Sequence, residues 1–241
     1  MSIVPNKPPR ISPSSAGWAV DNNILTDTKV GCLRFLLLKY YLPVDDPVPA
    51  HLIEMGAWGE DRYEEYLKND QEHAYHKEFE MESSIDDVLV RGRIDFITHH
   101  KTFRVIHEVK TSQSKNLLYK NLRKGDPKVN HLGQLVFYLI HLNETRGKLI
   151  YRYAPTNELR IMKVEIGDSG EIYVDGKEHH LRVENQIRHQ LLSAQVIKEK
   201  IMWQRPAGSA CKWCVYNSMC DRYDVCGKSF ENFITEEKKN V

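Results

Sequence analysis

Apolar positions recur along this 241-residue chain with two different periods, and each period predicts one kind of element. Spacing of three and four residues predicts helices over about 26–41, 53–70, 129–142 and 178–203. A strand is predicted at 76–82, and short apolar runs with β-branched and aromatic residues predict two hairpins, around the polar stretches THHKT and PTN. Helices interleaved with short strands predict an α/β fold, in which helices flank a small mixed central sheet.

The first hairpin, GRIDFITHHKTFRVIHEVKTS over residues 92–112, has charged side chains where packing would favour apolar ones. Because side chains alternate along a strand, Glu108 and Lys110 point to the same side. Asp95 on the preceding strand is predicted to share that side. The opposite face can enter a core, since it gathers the apolar residues Ile94, Phe96, Val105 and Val109.

A turn of either two or four residues in this hairpin pairs Thr98 with Phe103. That register places Asp95 across from Ile106 and makes Glu108 its diagonal neighbour, about 7–8 Å away at the backbone. Two converging carboxylates repel each other unless a cation lies between them, and a hard divalent cation prefers oxygen ligands. A solvated outer face with a cross-strand ion pair is the alternative interpretation.

The helix predicted at 129–142 carries His131, Gln134 and Tyr138 three and four residues apart, so the three side chains share one face. This polar stripe could simply meet solvent. A helix that follows the charged strand would, however, naturally pack beside that strand.

The length leaves room for one sizeable domain or for a domain with an appendage. The composition, with 41% hydrophobic residues, 28% charged residues and a net charge of +1, is that of an ordinary soluble protein. No apolar run is long enough to cross a membrane, and the N-terminal residues lack the hydrophobic segment of a signal peptide. We therefore expect a cytoplasmic or nucleoplasmic location and no membrane partner. A net charge near zero still allows a local basic patch.

Cysteines are unevenly distributed: four of the five lie in the segment CKWCVYNSMCDRYDVC, residues 211–226, and Cys32 lies far upstream. A reducing compartment argues against a disulfide framework. Four thiolates suit either zinc or an iron–sulfur cluster. One reading is a local zinc knuckle that leaves Cys32 as a buried apolar residue and uses Cys211, Cys214, Cys220 and Cys226.

The chain resembles the RecB-like branch of the PD-(D/E)XK nuclease superfamily in three motifs and in their order: Asp95, Glu108-x-Lys110 and Gln134-x-x-x-Tyr138. The resemblance implies the fold of restriction endonucleases and one or two Mg²⁺ or Mn²⁺ ions. It implies metal ligands at Glu60, from Gly56-Ala-Trp-Gly-Glu60, and at Asp95, Glu108 and the carbonyl of Val109. Lys110 would orient or activate the attacking water, and Gln134 and Tyr138 would position the strand or that lysine.

CRISPR-associated RecB-like nucleases and AddB-type nuclease domains also have one cysteine before the core and a C-x2-C-x5-C pattern after it. This chain has the same order. The resemblance therefore implies a [4Fe–4S] cluster held by Cys32, Cys211, Cys214 and Cys220, with Cys226 as a spare. The implied domains are an N-terminal arm at 1–24, a Cys32 helix at 25–50, a nuclease core at 51–177, a C-terminal helix with the cysteine cluster at 178–230, and a tail at 231–241.

The basic segment SKNLLYKNLRKGDPK follows the charged strand and is either a solvated loop or a DNA contact. Its candidate contacts are Lys115, Tyr119, Lys120, Arg123 and Lys124. The expected function is a DNA exonuclease on single-stranded or free ends, with protein partners in recombination, repair or CRISPR adaptation. The alternatives are a trimming nuclease of a CRISPR adaptation complex and a non-catalytic DNA-binding module; the intact Asp95, Glu108 and Lys110 argue against the latter.

Overall fold

The structure, a computed structural model, describes residues 20–21, 24–25, 33–42, 49–69, 73–114, 126–202 and 216–239. Its helices are α1 Leu33–Tyr41, α2 Ala50–Asn69, α3 Val129–Leu142, α4 Val183–Glu199, α5 Asn217–Cys226 and α6 Phe230–Lys239. Its strands are β1 Val20–Asp21, β2 Ile24–Leu25, β3 Ala74–Ile85, β4 Val88–His99, β5 Arg104–Ser112, β6 Arg146–Tyr153, β7 Glu158–Ile166, β8 Glu171–Val174 and β9 Lys177–Arg182.

Strands β3 to β9 form one seven-stranded sheet in chain order, so the sheet is larger than expected. All neighbours are antiparallel except β5 and β6, which are parallel and are joined through α3. A parallel pair needs such a crossover connection, because its second strand must start again at the same edge. The predicted α/β class is confirmed, with a mostly antiparallel sheet.

Helix α3 lies where the spacing predicted it and packs on one face of the sheet. Its buried side chains include Leu132, Leu135, Val136 and Leu139, which follow the three- and four-residue period. The helix approaches β6 closely at Gly147, where an added Cβ would lie 3.0 Å from a methyl carbon of Leu135. The main core forms between this face of the sheet, α3 and the buried residues Ala194 and Ile197 of α4.

Two smaller clusters complete the packing of the described residues. On the other face, Tyr63 and Leu67 of α2 cover Phe96, Val109 and Ile150 of the sheet. A second cluster joins α1 to α5 and α6, with Val196 of α4 beneath them. Its buried members are Leu33, Leu36, Leu37, Leu38, Leu42, Val196, Tyr216, Met219, Cys220, Phe230, Phe233 and Ile234.

The helix predicted at 178–203 is wrong in its first part. Residues 177–182 form β9, which pairs with β8 in a hairpin, and α4 begins only at Val183. The cause is the Asp175–Gly176 turn, in which both residues have positive φ angles, 50° and 77°. That conformation favours a two-residue hairpin with Asp-Gly at its centre, which helical spacing alone does not reveal.

The register of the first hairpin also differs from the prediction. Thr98 pairs with Val105 rather than with Phe103, and the last pair before the turn is His99 with Arg104. Phe103 lies in the turn instead, where its ring stacks on His100 with 4.4 Å between centroids. A four-residue turn beginning one residue later than expected shifts the pairing by two, and the regular pairs end at Phe96 and His107, just before Asp95 and Glu108.

No helix among the described residues is long and apolar enough to cross a membrane. The expected iron–sulfur subdomain cannot be followed in full, because Cys32, Cys211 and Cys214 lie outside the described residues. Most of the proposed N-terminal arm does so as well. The domain boundaries therefore stay a prediction, although residues 231–239 of the predicted tail belong to helix α6, Phe230–Lys239.

Candidate active site

The two charged strands separate at Asp95, and a side chain takes the place of a backbone partner there. Regular pairing of β4 with β5 runs from His99 and Arg104 to Phe96 and His107. Beyond it, the N–H of Val109 donates to Oδ2 of Asp95 at 2.7 Å. Asp95 is only 8% exposed. Its carboxylate therefore satisfies a buried donor of β5 while it remains available at the opening between the strands.

The neighbouring strand β3 has its own irregularity at the same level, because Glu78 has a φ angle of 54°. On one side of it, Lys77 pairs with Phe96, whose ring belongs to the cluster beneath α2. On the other side, Phe79 pairs with Ile94, which belongs to the main core. Asp95 lies between these two pairs. At this point β4 changes the face of the sheet on which its apolar side chains are buried, from the main core at Ile94 to the cluster beneath α2 at Phe96.

Four of the predicted residues form a continuous chain of polar contacts from β5 to α3. Nζ of Lys110 contacts Oε1 of Glu108 and also donates to Oε1 of Gln134 at 3.1 Å. The Gln134 amide lies 3.5 Å from the hydroxyl of Tyr138, which donates to the carbonyl oxygen of Arg93 at 2.8 Å. The helix that was expected to pack beside the charged strand does so, and it orients Lys110.

The carboxylates in this opening have pKa values well above their ordinary range. Burial, then the charge of Asp95, raises the pKa of Glu108 to about 8, and Glu108 is 1% exposed. Burial likewise raises the pKa of Asp95. Burial alone would lower the pKa of Lys110, but the charges of Glu108 and Asp95 outweigh it and raise the pKa. A positive charge is therefore favoured among these acids.

Glu60 on α2 approaches the same carboxylates from the other side of the opening. Burial and then the charge of Asp95 raise its pKa to about 7. Its Oε1 lies 3.9 Å from a guanidinium nitrogen of Arg93, which also pairs with Glu78 at 3.1 Å. Within the described residues, however, no three His, Cys, Asp or Glu side chains are arranged to hold a metal ion.

The donors nevertheless fit a hard divalent cation. Oε2 of Glu108 is buried and has no hydrogen-bond partner among the described residues. The charge of Asp95 raises the pKa of Glu108, so the two carboxylates are close enough for a cation between them to stabilise both. Carboxylate and carbonyl oxygens are the ligands that Mg²⁺ and Mn²⁺ prefer. Asp95, Glu108 and the carbonyl of Val109 would hold such an ion, with Glu60 as the remaining candidate.

Sequence reasoning missed a buried polar link between α2 and the active strands. His107 contacts the hydroxyl of Tyr63 through Nδ1 at 2.8 Å and the hydroxyl of Thr98 through Nε2 at 2.9 Å. Burial, then the charges of Lys148 and His100, lowers the pKa of His107 to about 3, so the imidazole is neutral. The only sequence signal was a histidine on the apolar face of the strand next to Glu108.

His131 was predicted to lie on the same helix face as Gln134. It contacts Tyr151 of β6, which the sequence did not predict. Its Nδ1 lies 3.0 Å from the hydroxyl of Tyr151, the cross-strand partner of Lys110. Burial and then the charges of Lys110 and Lys128 lower the pKa of His131 to about 3. His131 and Tyr151 therefore form a neutral pair beside the Lys110 ammonium.

The remaining predicted site residues are only partly covered by the structure. The DNA contacts proposed at Lys115, Tyr119, Lys120, Arg123 and Lys124 lie outside the described residues. Cys220 is buried in the second cluster, and the thiol of Cys226 donates to the carbonyl of Tyr223 at 3.2 Å. Within the part of the chain that is described, the cysteines form no metal cluster.

Comparison with protein families decides the class of this fold. A profile of the PD-(D/E)XK nuclease superfamily matches residues 44–221, which include every described residue of the opening between β4 and β5. The chain belongs to the PD-(D/E)XK nuclease superfamily. This PD-(D/E)XK chain is thus a nuclease, a hydrolase of a class that typically uses Mg²⁺ or Mn²⁺. The match identifies the superfamily and does not distinguish the RecB-like iron–sulfur branch within it.

Several solved structures resemble the fold of this chain at low sequence identity. LHK-Exo, an alkaline exonuclease from Laribacter hongkongensis solved in complex with dAMP, superposes with a TM-score of 0.58 at 8% identity, covering 80% of this chain and 90% of that one. A phage-related exonuclease from Haemophilus somnus 129PT gives 0.53 at 10% identity, covering 80% and 96%. SSO0001 gives 0.50 at 17% identity, covering 95% and 90%. A comparison with curated proteins gives no significant match.

Proposed function

We propose that this nuclease is a metal-dependent DNA exonuclease that acts on single-stranded ends. The observation that carries the proposal is the opening between β4 and β5, where Asp95 and Glu108 converge and Lys110 lies between Glu108 and Gln134. The exonuclease activity is taken from the family resemblance, and two structural neighbours are named exonucleases. Trimming of CRISPR prespacers would be the same chemistry in a larger assembly.

A divalent ion in this opening would supply a water of lowered pKa and withdraw charge from the phosphodiester. The protein's own groups have separate tasks. Asp95, Glu108 and the carbonyl of Val109 would bind and orient the ion. The Lys110 ammonium, held by Gln134, balances the negative charge that develops on the phosphate oxygens. The hydroxyl of Tyr138, fixed on the carbonyl of Arg93, keeps Gln134 in position.

The test is cleavage of end-labelled single- and double-stranded DNA by the purified protein, with Mg²⁺, Mn²⁺, Ca²⁺ or EDTA. We expect activity with Mg²⁺ or Mn²⁺ on single strands, and none with Ca²⁺ or EDTA. Asp95→Asn and Lys110→Ala should lose activity by at least 100-fold, on the order of the loss of one electrostatic stabiliser. Lys163→Ala, an exposed lysine on β7, is the matched control. Unchanged cleavage by Lys110→Ala would contradict the site.

Asn at position 95 is chosen because the structure gives Asp95 a structural task. Its carboxylate accepts the buried Val109 N–H, so alanine would leave that donor unpaired at a cost of about 1–3 kcal/mol. An amide oxygen can still accept this hydrogen bond, but it carries no charge for a cation. Loss of activity in the asparagine variant therefore reports on the metal site rather than on the fold.

We further propose that Cys32, Cys211, Cys214 and Cys220 hold a [4Fe–4S] cluster that joins the two ends of the chain. The described residues support this indirectly. Leu33, which follows Cys32, and Cys220 belong to the same hydrophobic cluster. The hydroxyl of Tyr216 also donates to the carbonyl of Leu42 at 2.8 Å. Cys226 has another contact, to Tyr223, which is consistent with its being a spare cysteine.

Anaerobic purification tests the cluster against the zinc knuckle. We expect a brown protein that contains iron and sulfide, and Cys32→Ser should lose both the colour and thermal stability, because a crosslink over a long loop restricts the unfolded chain. Cys226→Ser should keep both. A colourless protein that contains one zinc ion and depends on Cys226 would overturn the cluster and leave the nuclease assignment intact.

We also propose that the basic segment after β5 contacts the DNA backbone and that Tyr119 stacks on a base. Removal of the positive charges at Lys115, Lys120, Arg123 and Lys124 should weaken DNA binding and reduce its salt dependence. The measurement is the slope of log K against log salt concentration for the wild type and the quadruple alanine variant. An unchanged slope would place the phosphate contacts elsewhere.

A further inference from the structure

Trp58 on α2 is an exposed aromatic side chain that is held against a buried cation. The indole is 45% exposed. The guanidinium of Arg152 lies over its ring at 3.9 Å from the centroid, and Arg152 itself is fully buried. Arg152 also donates to the side-chain oxygen of Asn157. One side of the indole is therefore supported by a fixed planar cation, and part of its surface faces solvent.

Arg152 is not held against Trp58 by an ion pair with a carboxylate of the described residues. Nε and Nη1 of Arg152 are buried and have no hydrogen-bond partner among the described residues. Burial of an arginine without a carboxylate is costly, and stacking on an indole recovers only part of that cost. Burial, then the charge of Arg62 one helical turn after Trp58, lowers the pKa of Arg152. The indole thus has a positive charge on the side where Arg152 stacks.

Trp58 lies beside the catalytic strand. The next residue, Gly59, touches Thr111, since an added Cβ at Gly59 would lie 1.8 Å from Oγ1 of Thr111. Thr111 follows Lys110 directly and pairs with Arg152 across the parallel strands β5 and β6. Its side chain faces α2, whereas Lys110 points to the other face of the strand, towards Gln134 of α3. At about 3.3 Å per residue and about 4.8 Å between strands, the backbones of Lys110 and Arg152 are within about 6 Å of each other.

We propose that Trp58, supported by Arg152, stacks on an unpaired base of the DNA strand next to the phosphate that is cleaved. The inference rests on the proposed function and adds to it a residue that determines specificity. A flat aromatic surface with a cation stacked on its other side fits a nucleobase, whichever base is present. In a duplex the base is already stacked on both neighbours, so the contact favours single-stranded ends.

A structural role for the pair, in which Trp58 only holds α2 to β6, gives a different expectation. A latch would affect every substrate equally through stability and through the position of Glu60. A stacking surface affects only those substrates that have a base at the contact position. An oligonucleotide with abasic sites at its end retains the phosphates and lacks the bases, and it therefore separates the two roles.

The experiment measures the Kd of a fluorescent single-stranded oligonucleotide, and of the same oligonucleotide with abasic end positions, in the non-cleaving Asp95→Asn protein. Adding Trp58→Leu should weaken binding of the normal strand by about 5- to 100-fold, the range for one base–aromatic contact, and leave abasic binding unchanged. Trp58→Tyr should restore most of the loss. Tyr66→Leu, equally exposed on the same helix, is the matched control.

Equal weakening for both oligonucleotides, or no weakening for either, would overturn the stacking role. The proposed function is tested separately by cleavage with the unmodified protein. If the unmodified protein cleaves and Trp58→Leu binds normally, only the stacking role fails. If base-dependent binding is found but the unmodified protein never cleaves, the nuclease assignment fails and the base contact stands.

Discussion

Replacing Gly59 by alanine tests how closely α2 packs on the catalytic strand. An added Cβ would lie 1.8 Å from Oγ1 of Thr111 and 3.2 Å from its Cβ. To reach the 3.4 Å of ordinary contact, the helix and the strand must separate by about 1.6 Å at this point. The β-branched Thr111 has few other rotamers that would relieve the contact.

Such overpacking typically costs about 1–3 kcal/mol, while alanine in place of glycine within a helix gains about 0.5–1 kcal/mol. We therefore expect Gly59→Ala to lower the free energy of unfolding by about 1–2 kcal/mol, measured by urea denaturation. Cleavage should fall further than stability alone explains, because Trp58 and Glu60 flank the displaced residue.

Gly56→Ala on the same helix is the control, since nothing lies within 4 Å of the added carbon there. It should stabilise the protein by about 0.5–1 kcal/mol. The double variant Gly59→Ala/Thr111→Ala should recover most of the loss, because the oxygen in the closest contact is gone. If Gly59→Ala stabilised the protein as much as Gly56→Ala does, the close approach of α2 to β5 would be refuted.

Three further outcomes are expected. Because burial and the Asp95 charge raise the pKa of Glu108 from 4.5 to about 8, the folded metal-free protein binds this proton more tightly than the unfolded chain. Thermal stability in EDTA should thus fall as pH rises from about 4.5 to about 8, and Glu108→Gln should flatten that profile. His107→Ala removes the imidazole that lies between two buried hydroxyls, and it should lower the free energy of unfolding by about 2–5 kcal/mol in urea denaturation. The control His76→Ala, at an exposed position, should change it by less than about 0.5 kcal/mol. Equal effects would contradict the buried polar link through His107. Gly176→Ala should cost about 1–2 kcal/mol, since φ is +77° there, and a neutral result would argue against the β8–β9 turn.

The spacing of apolar residues in the sequence correctly predicted the elements that bury a single apolar face. Helix α3 has the predicted bounds, and β6 and β7 form the predicted hairpin. The failure at 178–203 arose because Leu181 fits both a helical stripe and an alternating strand, so a period cannot separate them over six residues. The Asp175–Gly176 turn was the decisive signal, and it acts through backbone conformation rather than hydrophobicity.

The residue types of the site followed from the sequence, but their spatial arrangement did not. Alternation placed Asp95, Glu108 and Lys110 on one face, yet the register was wrong by two. Phe103 looked like a strand residue, whereas its ring lies in the turn beneath the guanidinium of Arg146, 4.2 Å away. Contacts between residues far apart in the chain, such as Trp58 with Arg152, have no local signal at all.

The second hydrophobic cluster has a consequence for how the protein is made. Helix α1 buries its leucines against α5 and α6, which are separated from it by about 175 residues of sequence. At about 5–20 residues per second, the ribosome needs roughly 10–35 s to deliver these partners. Throughout that interval the LRFLLLKYY segment is an exposed apolar surface on the nascent chain. We therefore expect productive folding in the cell to depend on a chaperone that shields α1 until translation ends.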